Sequence, residues 1–292
     1  KNRQISWGPT DSITLNGLLN IYHQPTPEGL LIKRTFYPHE SRSAAFERIS
    51  LHNQGADTLK LNVLTASANK GHRGKAGNFY TAHRTQGRIT LLLPGQKEHL
   101  YITMSAGKNV PPPPFRLPDL PNMADARREL VESLQQNLVL ETPNPVYNTM
   151  FSLAKVRGAE SIFDSKLGLV HSPGGERYYT GFWANDQAEY INPFFPYLGY
   201  QLGNKAALNM WRVYAKAQPA SYAENIRYSF EMAGDSPANP LDRGDAAMIA
   251  YGLSHYLLAL GDAAVANELW PFLEWCLEYN HRKLNAAGVV AS

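Results

Sequence analysis

Four consecutive prolines, Pro111–Pro114, with Pro118 and Pro121 close behind, divide the chain. A segment so poor in backbone donors cannot be helix or central strand, so it reads as a domain linker. The hydrophobic period changes across it. Before it, Ile13/Leu15, Ile49/Leu51, Leu59/Leu61/Val63, Ile89/Leu91/Leu93 and Leu100/Ile102/Met104 alternate with mostly polar neighbours, which predicts strands with one buried face. Breaks at Gln24–Gly29, Asn53–Asp57, Asn69–Asn78 and Pro94–Gly95 predict an antiparallel β-sandwich. The glycine-rich basic stretch Asn69–Lys75 lacks the ending of a phosphate loop and is expected as an exposed hairpin.

After the prolines the spacing is helical. Leu130, Leu134 and Leu138 mark a linker helix, and Val146, Met150, Leu153, Ala154 and Arg157 mark a helix entered through Thr142–Pro145. Leu208, Trp211, Tyr214 and Ala215 mark another, followed by Met248, Tyr251, Gly252, His255 and Ala259. His255 is expected as a core histidine. Val265, Leu269, Phe272, Cys276 and Tyr279 step by 4, 3, 4 and 3 along a final helix. The expected boundaries are 1–110 for the sandwich, 111–144 for the linker and its helix, and 145–292 for the helical domain.

With 43% hydrophobic and 18% charged residues in 292, the chain is not of the disordered class. No apolar run approaches the ~18 residues of a membrane span. Residues 1–121 hold 15 Lys and Arg against 7 Asp and Glu, and the remainder hold 13 against 18. The basic residues are scattered among strand-like positions, so no nucleic-acid partner is expected. A single cysteine, Cys276, excludes an internal disulfide framework and cysteine-based metal cages. Neither a His-x-x-x-His nor a Gly-x-Ser-x-Gly signature occurs. No metal or cofactor is expected.

Two long connections, residues 165–186 and 218–245, separate the helices, and loops of that length are usually functional. Nine aromatics fall between Tyr178 and Tyr200. Aromatic rings beside Glu176, Asn185, Asp186 and Glu189 suit a sugar pocket, because rings stack on pyranose faces while carboxylates and amides bond hydroxyls. The competing explanation is a buried aromatic cluster in which Asp186 and Glu189 form a capping box. The second connection carries Glu224, Glu231, Asp235, Asp242 and Asp245, with Arg243 between the last two. Such carboxylates can act as general acid, base or hydroxyl ligands in glycoside chemistry. Helix capping by Asp242 and Asp245, with Arg243 pairing them, is again the alternative.

The order of parts resembles a known superfamily. A sandwich carrying Phe46–Leu61, a linker helix, Thr142–Pro145 entering the first barrel helix, and then Tyr178–Tyr179–Thr180–Gly181–Phe182–Trp183–Ala184–Asn185–Asp186 is similar to the six-hairpin, (α/α)6-toroid glycoside hydrolases. Glucoamylases, bacterial α-rhamnosidases and maltose-phosphorylase-like enzymes share that architecture. The resemblance implies an N-terminal antiparallel β-(super)sandwich, a linker helix and a partial (α/α)6 toroid. It implies a glycoside hydrolase that acts on an oligosaccharide or polysaccharide by inversion. The alternatives are a phosphorylase of the same architecture and a non-catalytic carbohydrate-binding protein. A polysaccharide lyase is disfavoured, since its toroid usually precedes its sandwich.

Trp183–Ala184–Asn185–Asp186 resembles the Trp-x-Arg-Asp element of glucoamylase-like members, with Asn185 in place of the arginine. By that resemblance Asp186 and Asn185 hold the terminal sugar and Trp183 and Tyr179 wall it. Glu176, Arg243 and Asp245 are further binding candidates, and Glu231 and Asp242 are acid candidates. The superfamily places its centre at the N-terminal ends of the inner helices, which here begin near Asp186 and Asp245. Only about five of twelve helices fit between Asn144 and Ser292, so the decisive acid and base are expected beyond Ser292. The expected location is periplasmic or secreted.

Overall fold

The computed structural model describes residues 5–74, 77–85, 87–172, 181–231 and 244–291, and the chain divides into two compact units after Ser133. In the first, β1 (Thr10–Leu15), β2 (Leu19–His23), β3 (Leu30–Pro38), β4 (Ala44–Asn53), β6 (Ala66–Gly74), β7 (Gly77–Thr85) and β9 (Lys97–Lys108) form one sheet in the order β1-β2-β3-β4-β9-β7-β6. Every neighbouring pair is antiparallel. β5 (Leu59–Val63) and β8 (Arg88–Leu92) pair as a small second layer.

Alternation assigns the two faces of the large sheet to different partners. Leu30, Ile32, Ile49 and Leu51 pack against Leu61 and Leu92 of the second layer. Tyr37 and Phe46, at the opposite parity, pack with Leu18 against Leu120 and Ala124 of helix α1 (Leu120–Gln136). Gly29, at φ +81°, lets the β2–β3 turn approach the β4–β5 turn, where a Cβ would lie 2.6 Å from the Gly55 backbone.

Several sequence expectations for this unit need correction. Ile13 and Leu15 lie on an exposed strand. In β8 the buried residue is Leu92, whereas Ile89 is 65% exposed and Leu91 and Leu93 are exposed with it. The register explains this, because Leu92 opposes Leu59 while Leu91 opposes Lys60 on the outer face. The β6–β7 hairpin is exposed as expected, although its strands run through Asn69–Gly74. Pro118 sits in a 3-10 turn (Leu117–Asp119) and Pro121 in the first turn of α1. The first turn tolerates proline because its N–H groups have no intrahelical acceptor. The buried face of α1 is Leu120, Ala124, Arg127, Val131 and Leu134, whereas Leu138 lies beyond the helix at φ +52° and is exposed.

The second unit holds α2 (Pro145–Glu160), a β10–β11 hairpin (Ile162–Ser165, Gly168–His171), β12 (Gly181–Trp183) and α3 (Ala184–Asp186). A π-helical segment (Gln187–Ile191) runs on into α4 (Asn192–Leu198), followed by α5 (Gln201–Lys216), β13 (Ser229–Glu231), α6 (Asp245–Leu260) and α7 (Ala263–Arg282). α6 packs on the π segment, α4 and α7, while α5 packs on α4. Helical hairpins therefore set α4 and α6 side by side around one core that includes Phe195, Met210, Trp211, Leu253, Leu269 and Cys276.

The α7 stepping holds, with Leu269, Phe272, Cys276 and Tyr279 all buried. For α2 the expected face is the wrong one. Val146 and Met150 are about three-fifths exposed, and the buried residues are Lys155, Val156 and Ala159. Lys155 is 1% exposed, and its ammonium donates to the carbonyls of Gln135, Asn137 and Leu138 at 2.8–3.1 Å. His255 is exposed rather than in the core, beside Tyr251 on the open side of α6.

Candidate functional site

The two long connections meet. β12 and β13 form an antiparallel ribbon with Gly181 opposite Glu231, Phe182 opposite Phe230 and Trp183 opposite Ser229. The Ala184 amide extends it by donating to the Tyr228 carbonyl at 2.8 Å. Gly181 is required by this approach, since a Cβ there would lie 2.5 Å from the Phe230 carbonyl oxygen.

Strand alternation sends Phe182 and Phe230 inward, where their rings stack at 5.6 Å and Tyr214 meets Phe230 edge-on at 4.9 Å. Gly181, Trp183, Ser229 and Glu231 share the other face. The ribbon thus joins a tryptophan and a carboxylate that are far apart in sequence, and it leads directly into Asn185 and Asp186.

Asn185 is exposed and Asp186 half-buried. Asp186 is not a helix cap: it has helical dihedrals (φ −58°, ψ −36°) and no side-chain capping bond, and the residue preceding α3 is Trp183. Its Oδ1 instead accepts a hydrogen bond from the Tyr190 hydroxyl at 2.9 Å. The capping-box alternative for Asp186 and Glu189 is therefore removed.

Between Asp186 and Tyr190 the helix widens into the π segment, whose last bond runs from the Asn192 amide to the Gln187 carbonyl. Pro193 follows at once; it lacks an N–H and crowds the carbonyl four residues earlier, which the wider turn accommodates. α6 presses on this segment so closely that a Cβ at Gly252 would lie 2.2 Å from the Ala188 carbonyl oxygen. Gln187 Oε1 and both amide atoms of Asn192 are buried without a hydrogen-bond partner among the described residues. Such groups cost stability, and so does the irregular turn that carries them.

Asp245 occupies the first turn of α6 after Gly244 (φ +86°) and is 2% exposed. Burial, and then the charges of Asp245 and Asp186, hold the Tyr214 phenol well above its ordinary pKa. That hydroxyl donates to the Tyr228 carbonyl at 3.1 Å. Behind the ribbon, Ser172 Oγ donates to the Gly181 carbonyl at 2.9 Å. The Gln187 amide donates to the His171 carbonyl and lies 3.3 Å from His171 Nδ1. Burial lowers the pKa of His171 to about 4, so its ring is neutral near pH 7.

Of the residues expected from sequence, Trp183, Asn185, Asp186 and Glu231 belong to the ribbon and the helix it enters, and Asp245 lies buried at the start of α6. Tyr179, Glu176, Asp235, Asp242 and Arg243 lie outside the described residues. Glu224 is exposed in the segment before β13. Tyr190, Tyr214, His171 and Gln187 are not among the site residues expected from sequence; Tyr214 is marked there only as a helix-face residue and Tyr190 only within the aromatic density. Among the described residues no group of three or more His, Cys, Asp or Glu could hold a metal ion.

No protein-family description and no curated protein matches the chain. Solved structures do. One, described as "Putative kojibiose phosphorylase from human microbiome", matches 94% of this chain with a TM-score of 0.54 at 12% identity. The chain spans 45% of the length of that protein. This likeness is one of fold: an antiparallel β unit followed by paired helices. A polysaccharide lyase also matches, over 89% of this chain and 57% of its own, at 9% identity with a TM-score of 0.24.

Proposed function

We propose that the chain is part of a carbohydrate-active enzyme of the toroid type, and that it holds a terminal sugar at the β12–β13 ribbon for cleavage of a glycosidic bond. The observation that supports this is the ribbon itself, which puts Trp183 on the same face as Glu231 and leads into Asn185 and Asp186 at the start of a helix whose irregular turn costs stability. Spending stability at a polar helix start is typical of sites kept for function. Trp183 offers a ring to a pyranose face, and Asn185 and Asp186 offer an amide and a carboxylate to its hydroxyls.

Hydrolysis with inversion is the proposed reaction, on oligosaccharide or polysaccharide substrates of a periplasmic or secreted protein. Glu231, on the Trp183 face of the ribbon and opposite Gly181, is the acid candidate among the described residues. A second carboxylate must activate water from the opposite face of the sugar. Phosphorolysis is the second reading, favoured by the description of the solved structure that shares the fold. It differs in the nucleophile, phosphate replacing water.

The test incubates the full-length protein that contains this chain with kojibiose, nigerose, maltose and isomaltose, with and without inorganic phosphate, and measures glucose and glucose 1-phosphate. Glucose release without phosphate supports hydrolysis. Release of glucose 1-phosphate only when phosphate is present supports phosphorolysis. Binding without turnover leaves the non-catalytic carbohydrate-binding alternative, and no binding rejects the sugar site.

A further inference from the structure

Asp186 begins a helix yet spends neither oxygen on the helix's own amides. A short carboxylate left to rotate at an exposed helix start would offer a ligand many orientations, each costing order when the ligand binds. Tyr190 removes that freedom. It stands four residues along, across the π segment, with its hydroxyl 2.9 Å from Oδ1.

We propose that Tyr190 is a positioning residue for Asp186: its hydroxyl holds Oδ1, so that Oδ2 is presented to a hydroxyl of the bound sugar. This rests on the sugar site proposed above. The phenol suits the task because its planar ring has few rotatable bonds and its hydroxyl is a neutral donor. Burial, the Asp186 bond and the Asp186 and Glu189 charges raise its pKa to about 12, so it keeps the donated proton throughout the physiological range. The Tyr190 residue is 53% exposed, so replacing it by phenylalanine removes the hydroxyl without opening a cavity.

The experiment compares wild type, Tyr190→Phe, Asp186→Asn and the double variant in the full chain. Binding of kojibiose, nigerose, maltose and isomaltose is measured by calorimetry, and the fold by thermal melting. Positioning predicts that Tyr190→Phe weakens binding about tenfold at an unchanged melting temperature. It also predicts that Asp186→Asn weakens binding further, and that the double variant binds no worse than Asp186→Asn, since coupled residues do not add.

A ligand-free readout accompanies it. The Tyr190 carbon resonance, assigned by its loss in Tyr190→Phe, should titrate at lower pH in Asp186→Asn than in wild type. Binding within twofold of wild type for Tyr190→Phe, with binding lost in Asp186→Asn, overturns the role of Tyr190 and leaves the sugar site standing. An unmoved Tyr190 titration also overturns it. Binding unaffected by either substitution, or absent in wild type, overturns the sugar site and the positioning role together.

Discussion

Asp186 and Asp245 are the same residue type at comparable places, each at the start of one of two helices packed side by side, yet they are held in opposite ways. Asp245 is sealed into the first turn of α6 at 2% exposure. Asp186 stands half-open, one oxygen tied to an exposed tyrosine, at the mouth of a π turn. Burial makes a carboxylate part of the scaffold, whereas partial exposure with one fixed oxygen leaves it able to meet a ligand. Helix starts in this unit thus divide into one that supports and one that presents.

The division can be broken most forcefully at Asp245. Asp245→Ala should cost about 3 kcal/mol, because it empties a nearly fully buried position in the first turn of α6. A loss below about 1 kcal/mol in denaturant melts would place Asp245 with the presenting carboxylate.

The support behind the ribbon predicts an acid-sensitive fold. An unfolded His171 takes a proton near its ordinary 6.5, but the folded ring refuses it until about pH 4. Stability should therefore be unaffected by this group above about pH 6.5 and fall by up to about 3 kcal/mol as the pH drops toward 4. His171→Gln should flatten that slope; an unchanged slope would detach His171 from the support.

Gly252→Ala tests the seam where α6 presses on the π segment. A methyl group aimed at the Ala188 carbonyl should cost about 1–3 kcal/mol and displace the turn that carries Asp186. Sugar affinity should fall with it in the binding assay. The smallest stability change is expected at Asp186 itself, where Asp186→Asn should shift stability by less than about 0.5 kcal/mol. It should nonetheless abolish most sugar binding. A large unfolding penalty there would erase the distinction between the two aspartates.

What could be read in the sequence follows from how local each determinant is. The α7 face was legible because its period is set by residues three and four apart that meet one continuous core. The α2 face was not, since Val146 and Met150 have the right spacing yet stay exposed, while Lys155 is buried by carbonyls from residues 135–138. In β8 the run Leu91–Leu93 offered two parities, and only the pairing with β5 selects Leu92. At the site, Trp183, Asn185 and Asp186 could be picked out as a cluster, but the ribbon that Trp183 shares with Glu231 depends on a pairing across 45 or more residues. The π turn left only Pro193 as a local sign.

Lys155 carries a consequence for chemistry in solution. Its ammonium is satisfied by main-chain carbonyls and shielded from water, and burial lowers its pKa. Amine-directed reagents should label exposed lysines such as Lys60 and Lys70 at once and leave Lys155 untouched while the fold is intact. When the segment opens, Lys155 becomes an ordinary amine. The time course of its acetylation, followed by peptide mass, is then a clock for the opening of the segment that connects α1 to α2.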